Sequence, residues 1–361
     1  MSTLTLKQQS TKLLKTAVEN NYYELANLLI KEGKADVTEN DSEVLKIAVW
    51  HGFKNIVDLL IEAGADPTTS TNESFRLAIV NGNIEIFDKL LKLGFDPKAD
   101  KNNLIEEAIQ LSDSYIIKKI IASGLNRTEY LFAVEKAVEY EEAEVLEILL
   151  KNKVDTLYQE KIIKKAVDTD NAYIVEILIK DGVDLTVDHF YALVQACKNG
   201  NIEIVEMLLA AGVFPINEAI HEAARNDLRS VTRALLDKGA DPNAYSGRTL
   251  SNCIALGHTF IVKILIRAGA DVNKDFAYRL NKAIEKTDYE IIKLLLEKGE
   301  NITKFITEAL EKTIKKENPF IVRMLLEAGA DPIAEDYKFI KMASKLKDNT
   351  IFNILIEYMY K

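Results

Sequence analysis

The stretch GHTFIVKILIRAGADVN, residues 257–273, decides how this chain folds. Phe260, Ile261, Ile264 and Leu265 recur at helical spacing, which makes one face of a short helix apolar. Gly257 stands where a tight turn opens that helix, and Gly269 stands where its C-terminus would pass into a left-handed residue. Ahead of Gly257 lie a small residue, Cys253, and apolar Leu250, spaced as on one face of a preceding helix. The unit therefore reads as helix, turn, helix, glycine.

The unit recurs along the whole chain. Its small slot is filled by Ala17, Ala48, Ala78, Ala108, Ala137, Ala166, Ala196, Ala223, Cys253, Ala283, Thr313 and Ala343, at intervals of 27 to 31 residues. The residue three before the slot is apolar in all twelve units, and apolar pairs such as Leu60-Ile61 and Leu325-Leu326 follow twelve and thirteen residues after it. Of the 15 glycines, ten lie sixteen residues after the slot and four lie four residues after it. Asp-Pro at 66–67, 96–97, 241–242 and 331–332 then stops the helix and starts an extended loop. Lys34 is an added residue, and the loop after Gly212 is three residues short, with Phe214 where other units have Asp. A change of curvature is expected there. No single helix pair can bury its own apolar face, so the units must stack, each touching only its neighbours. A large side chain in the slot would overpack that contact by about 1 to 3 kcal/mol.

Paired helices at this period, closed by Gly-Ala-Asp-Pro, resemble the ankyrin repeat. The best matches are GFKNIVDLLIEAGADP (52–67), GNIEIVEMLLAAG (200–212), IHEAARNDLRSVTRALLDKGADPN (220–243) and the opening stretch, and the resemblance covers residues 4 to 360. It implies an all-α solenoid of about twelve helix-turn-helix units. The family's unit is about 33 residues with a Thr-Pro-Leu-His opening. That motif is missing here, although His221 occupies its histidine position, and the loops are too short for full β-hairpins, which are expected to be short or absent. Shortened arrays of this kind are similar to those of large DNA viruses, phages and intracellular bacteria. The chain reads as one solenoid domain, 1–361, with an N-terminal capping repeat at 1–36, internal repeats at 37–332 and a C-terminal capping repeat at 333–361.

Composition narrows the function. With 46 Lys and Arg against 56 Asp and Glu, the net charge is −10, which argues against general adhesion to nucleic acid or anionic membrane. No apolar run is long enough for a membrane span or a signal sequence, so a cytoplasmic protein is expected, in the host cytoplasm if the chain is viral or a bacterial effector. Cys197 and Cys253, the two cysteines, lie on the buried face of their helices and belong to no CxxC. No HExxH, GxSxG, GxxxxGK[ST] or DxDxDG motif occurs. The carboxylate pairs Glu106-Glu107, Glu141-Glu142 and Asp168/Asp170 sit among other charges and read as solvated surface. No enzyme activity, cofactor or metal is expected.

The helical step points residues two and three after the slot away from the core. The resemblance implies that these line the concave, partner-binding face. In the first six repeats they include Trp50, His51, Val80, Leu111 and Tyr140, an apolar ridge; in the last six they include Lys198, Arg225, Lys286, Lys315, Lys316 and Lys345, a basic stripe. The ridge and stripe predict binding of another protein carrying an acidic patch. Nucleic acid or a nucleotide on the basic stripe is the alternative.

Overall fold

This computed structural model describes residues 6–93, 101–151, 159–214 and 216–360. Among them every regular element is a helix, and no strand replaces the missing hairpins. Gly94 and the Asp96-Pro97 pair lie outside the described residues.

The fold divides into two compact units, residues 1–183 and 184–361. In the first, the inner helices are Leu6–Glu19, Glu39–Trp50, Thr69–Val80, Lys101–Gln110, Arg127–Glu139 and Gln159–Asp168. In the second they are Val187–Asn199, Asn217–Arg225, Arg248–Leu256, Phe276–Lys286, Thr303–Lys315 and Ala334–Ala343. Within each unit every inner helix packs on the inner helix of the next repeat and on the outer helix that follows it. All twelve slot residues are 0% exposed. Close approach of neighbouring inner helices is thus what the small side chains permit, and the Thr313 hydroxyl adapts by donating to Leu310 O, 2.9 Å away in its own helix. Leu208 and Leu265 lie fully buried on the inward faces of their outer helices, so truncation of either to Ala costs about 2 to 5 kcal/mol.

Local chemistry fixes the turns. Five of the twelve outer helices begin at a side-chain cap five residues after the slot: Asp113, Asn171, Asn201, Asp288 and Asn318 each accept from a backbone N–H two or three residues on. After the outer helix, Gly64, Gly269 and Gly329 adopt positive φ, and the next N–H returns to a carbonyl five residues back, as Ala270 N does to Leu265 O at 2.9 Å. The following Asp then turns the loop by accepting from the N–H two residues ahead, at Asp66, Asp241, Asp271 and Asp331. In place of hairpins, Asn243 Oδ1 accepts from Asp271 N of the next loop, and Asn273 Oδ1 from Glu300 N, both at 2.8 Å.

Three details depart from the sequence pattern. Gly299 has φ −74° and is not left-handed; it is glycine because a Cβ would come within 2.9 Å of Leu295 O and within 2.7 Å of Phe276 and Ile302. The left-handed residue four after the slot is not reserved for glycine: Asn21, Ser112, Glu141, Asp170, Asp227, Thr287 and Glu317 adopt it too. In the last inner helix, left-handed Glu335, Asp336 and Tyr337 re-aim its start, so Phe339 is fully buried and Ile340, in the expected slot, only partly so.

Arg279 sits on the apolar side of its helix and is fully buried. Its guanidinium donates to Ser251 Oγ (2.9 Å), Gly247 O (2.9 Å) and Asp271 O, tying two loops to the helix. A Cβ at Gly247 would lie 2.8 Å from that guanidinium, which explains the one glycine outside the repeat pattern. Burial in turn lowers the Arg279 pKa.

Candidate functional site

The positions two and three after the slot lie at the C-terminal ends of the inner helices, which decides what each side chain can do. Trp50 is the last residue of its helix and 49% exposed; Leu111, just past its helix, is 46% exposed. His51 follows Trp50, is exposed, and stacks on Phe53 at 5.2 Å between ring centroids. Val80 is half-buried. Tyr140 is half-buried too: its hydroxyl donates to Glu106 and the Lys136 ammonium lies 5.3 Å from its ring. The ridge therefore offers two large open apolar side chains, Trp50 and Leu111, while Tyr140 is held in a local network.

The basic stripe divides in the same way. Arg225 pairs with Glu222 (3.0 Å) and Lys315 with Glu311 (2.5 Å). Lys316 reaches back one repeat and donates to Ile284 O (3.1 Å) and Glu285 O (2.9 Å), neutralising the carbonyl end of that inner helix. Lys198, Lys286 and Lys345 are exposed and have no ion pair among the described residues. A cation at a helix C-terminus is stabilising in itself, which accounts for part of the stripe without any partner.

A feature that composition did not reveal runs beside these positions. Charged residues one or two before the slot form ion pairs from one repeat to the next: Lys15–Glu43 (2.6 Å), Lys46–Glu73 (3.0 Å), Arg76–Glu107 (2.8 Å), Lys136–Glu106 (2.8 Å) and Lys165–Glu139 (2.5 Å). In the second unit Glu285 is clasped by Lys282 (2.8 Å) and Lys312 (2.6 Å), which hold its pKa down to about 2. Glu311, between Lys315 and Lys338, is likewise held at about 2. The sequence signal for this ladder is a pair of opposite charges one repeat apart. Of the carboxylates read as solvated surface, Glu106 and Glu107 belong to it, while Glu141 accepts from Asn171 and Glu142 from Ser112.

Among the described residues both cysteines, His221 and His258 have structural surroundings. Burial raises the pKa of both Cys197 and Cys253 to about 12, so neither thiol is a nucleophile near neutral pH. His221 Nδ1 bonds the Thr249 hydroxyl at 2.9 Å, and His258 Nδ1 meets Ala224 O at 3.4 Å, both structural uses. Among the described residues no cluster of three or more His, Cys, Asp and Glu is placed to hold a metal ion, and no helix is long and apolar enough to cross a membrane.

Comparison with known proteins agrees with this architecture. No curated protein matches the chain in sequence. Among solved structures, the human ASB11 ankyrin repeat domain is similar at 22% identity over 46% of this chain and 82% of its own, with a TM-score of 0.36. The ankyrin repeat domain of Bcl-3, a member of the IkappaB protein family, is similar at 22% identity over 54% and 97%, with a TM-score of 0.43. The family model described as "Ankyrin repeats (3 copies)" matches residues 3–71, 134–218, 165–246, 193–276 and 220–306, about two thirds of the sequence, and the chain belongs to the ankyrin-repeat family.

Proposed function

We propose that the chain is a non-enzymatic scaffold that binds a partner protein along the open side of its inner helices. Ankyrin repeats serve in general as protein-interaction modules. The observation that carries the reading here is the exposure of Trp50 and Leu111 at the ends of two inner helices of the first unit, where large apolar side chains gain nothing by facing water. Lys198, Lys286 and Lys345 in the second unit favour an acidic patch on the partner, and such binding would sequester or inhibit that partner by covering its surface. The nucleic-acid alternative is less well supported, because Arg225, Lys315 and Lys316 are already engaged within the protein. The test is capture of partners from cells by the wild-type chain and by Trp50→Ala/Leu111→Ala. Each anchor supplies about 2 kcal/mol, so the double variant should lose about a thousandfold in affinity while its circular dichroism stays unchanged. Undiminished capture would remove the ridge from the site.

A further inference from the structure

The outer helices carry a charge pattern unrelated to the inner-helix site. Ten residues after the slot, the first unit places acids in four of six repeats, Asp58, Asp88, Glu147 and Glu176, with Asn27 and Lys118 the exceptions. At the same position the second unit places bases in four of six, Arg233, Lys263, Lys293 and Arg323, with Glu206 and Asn353 the exceptions. One helical turn on, fourteen after the slot, the signs reverse. The first unit has Lys31, Lys92, Lys151 and Lys180, and the second Asp237, Glu297, Glu327 and Glu357. Glu62 and Ala122 in the first unit and Ala210 and Arg267 in the second are the exceptions there. Positions seven, ten and fourteen share one helix face, and at position seven that face also exposes Tyr115 and Tyr173 in the first unit and Phe260 and Phe320 in the second, Phe320 to 72%.

In the first unit the order suits an isolated helix. An acid one turn before a base pairs along the helix, as Glu176–Lys180 does at 2.8 Å, and follows the helix dipole. The second unit has the disfavoured order: Lys293 meets Glu297 only at 3.8 Å, and Arg323 turns instead to Glu357 at 3.6 Å. Helix stability does not explain three helices, those bearing Arg233-Asp237, Lys293-Glu297 and Arg323-Glu327, with cation before anion.

We infer that the outer face of the first unit docks on the outer face of the second unit of another copy of this chain. When two such faces meet with their outer helices parallel, position ten lies over position ten and position fourteen over fourteen. Acid then faces base along both stripes, with the exposed aromatics between them as apolar anchors. First unit on first unit, or second on second, sets like charges opposite each other, so the pairing selects its own register. The inner-helix faces of both copies stay free, giving two partner sites per assembly. The inference is independent of the binding site proposed above, since no residue is shared.

Sedimentation velocity at tens of micromolar chain tests it. Wild type should be a dimer at low salt, with a dissociation constant weakened about tenfold or more at high salt. Arg233→Glu/Lys293→Glu/Arg323→Glu and Asp58→Lys/Glu147→Lys/Glu176→Lys should each be monomeric with unchanged circular dichroism. An equimolar mixture of the two restores acid opposite base on both faces and should sediment as a heterodimer. A monomeric wild type, a triple variant that dimerises as wild type does, or a mixture that stays monomeric overturns the inference.

Discussion

Thr287→Gly should stabilise the protein although it removes a side chain. Thr287 ends the inner helix Phe276–Lys286 with φ +57° and ψ +37°, in the left-handed region. A residue with a Cβ pays about 1 to 2 kcal/mol there, and a β-branched one is among the worst placed. The side chain is exposed and makes no hydrogen bond among the described residues, so little is lost with it. Glycine returns about 0.4 to 1 kcal/mol through its freer unfolded chain. The net gain is about 0.5 to 1.5 kcal/mol, or about 1 to 5 °C in Tm for a cooperative unit of this size. Gly257 is the mirror control at the same place in the preceding repeat. Its φ is +85° and a Cβ would meet nothing within 4 Å, so Gly257→Ala should lose about 0.5 to 1.5 kcal/mol, backbone strain less the same unfolded-chain contribution. Urea titrations followed at 222 nm read both. No gain for Thr287→Gly together with no loss for Gly257→Ala would refute the claim that this turn costs anything.

Other outcomes follow from the same geometry. Gly299→Ala, with an ordinary φ, should still lose about 1 to 3 kcal/mol, because its Cβ meets the Leu295 carbonyl; urea midpoints against Gly269→Ala, where the Cβ is in open space, separate crowding from strain. Arg279→Met should cost about 3 kcal/mol or more by leaving Asp271 O and Ser251 Oγ without the guanidinium and Gly247 O with the Ser251 hydroxyl in its place, visible in the same titration. Glu285 and Glu311 have folded-state pKa values of about 2, below the usual 4.5, so their contribution is whole above pH 4.5 and is lost as pH falls towards 2. Lys282→Met/Lys312→Met should therefore shrink the drop in urea midpoint between neutral pH and pH 3 relative to wild type.

The repeat itself was legible because its causes are local and identical. A slot that must be small, an apolar residue one turn before it and a glycine after the outer helix are composition rules imposed by one packing geometry, and all twelve slots obey it. The left-handed turn at Glu141 or Thr287 was not legible, since the neighbouring helices impose that conformation whatever the residue. Arg279 was hidden for a related reason: two of its three partners are backbone carbonyls, which leave no mark in a sequence. The candidate site was half-readable. Helical phase placed Trp50 and Leu111 outward, but it could not show that Lys316 would reach the carbonyls of another repeat or that Tyr140 would be drawn to Glu106. Such contacts depend on how adjacent helices are staggered, and only the coordinates supply the stagger.

Small residues in one recurring slot let neighbouring repeats stack, each stabilising only those beside it. Hydrogen exchange read by mass spectrometry on Ala283→Leu tests it most directly, because Ala283 is fully buried between adjoining inner helices. Lost protection should centre on Phe276–Lys298 and extend to the inner helices Arg248–Leu256 and Thr303–Lys315, with Leu6–Glu62 unchanged. Unaltered protection everywhere, or an equal loss along the whole chain, would contradict it.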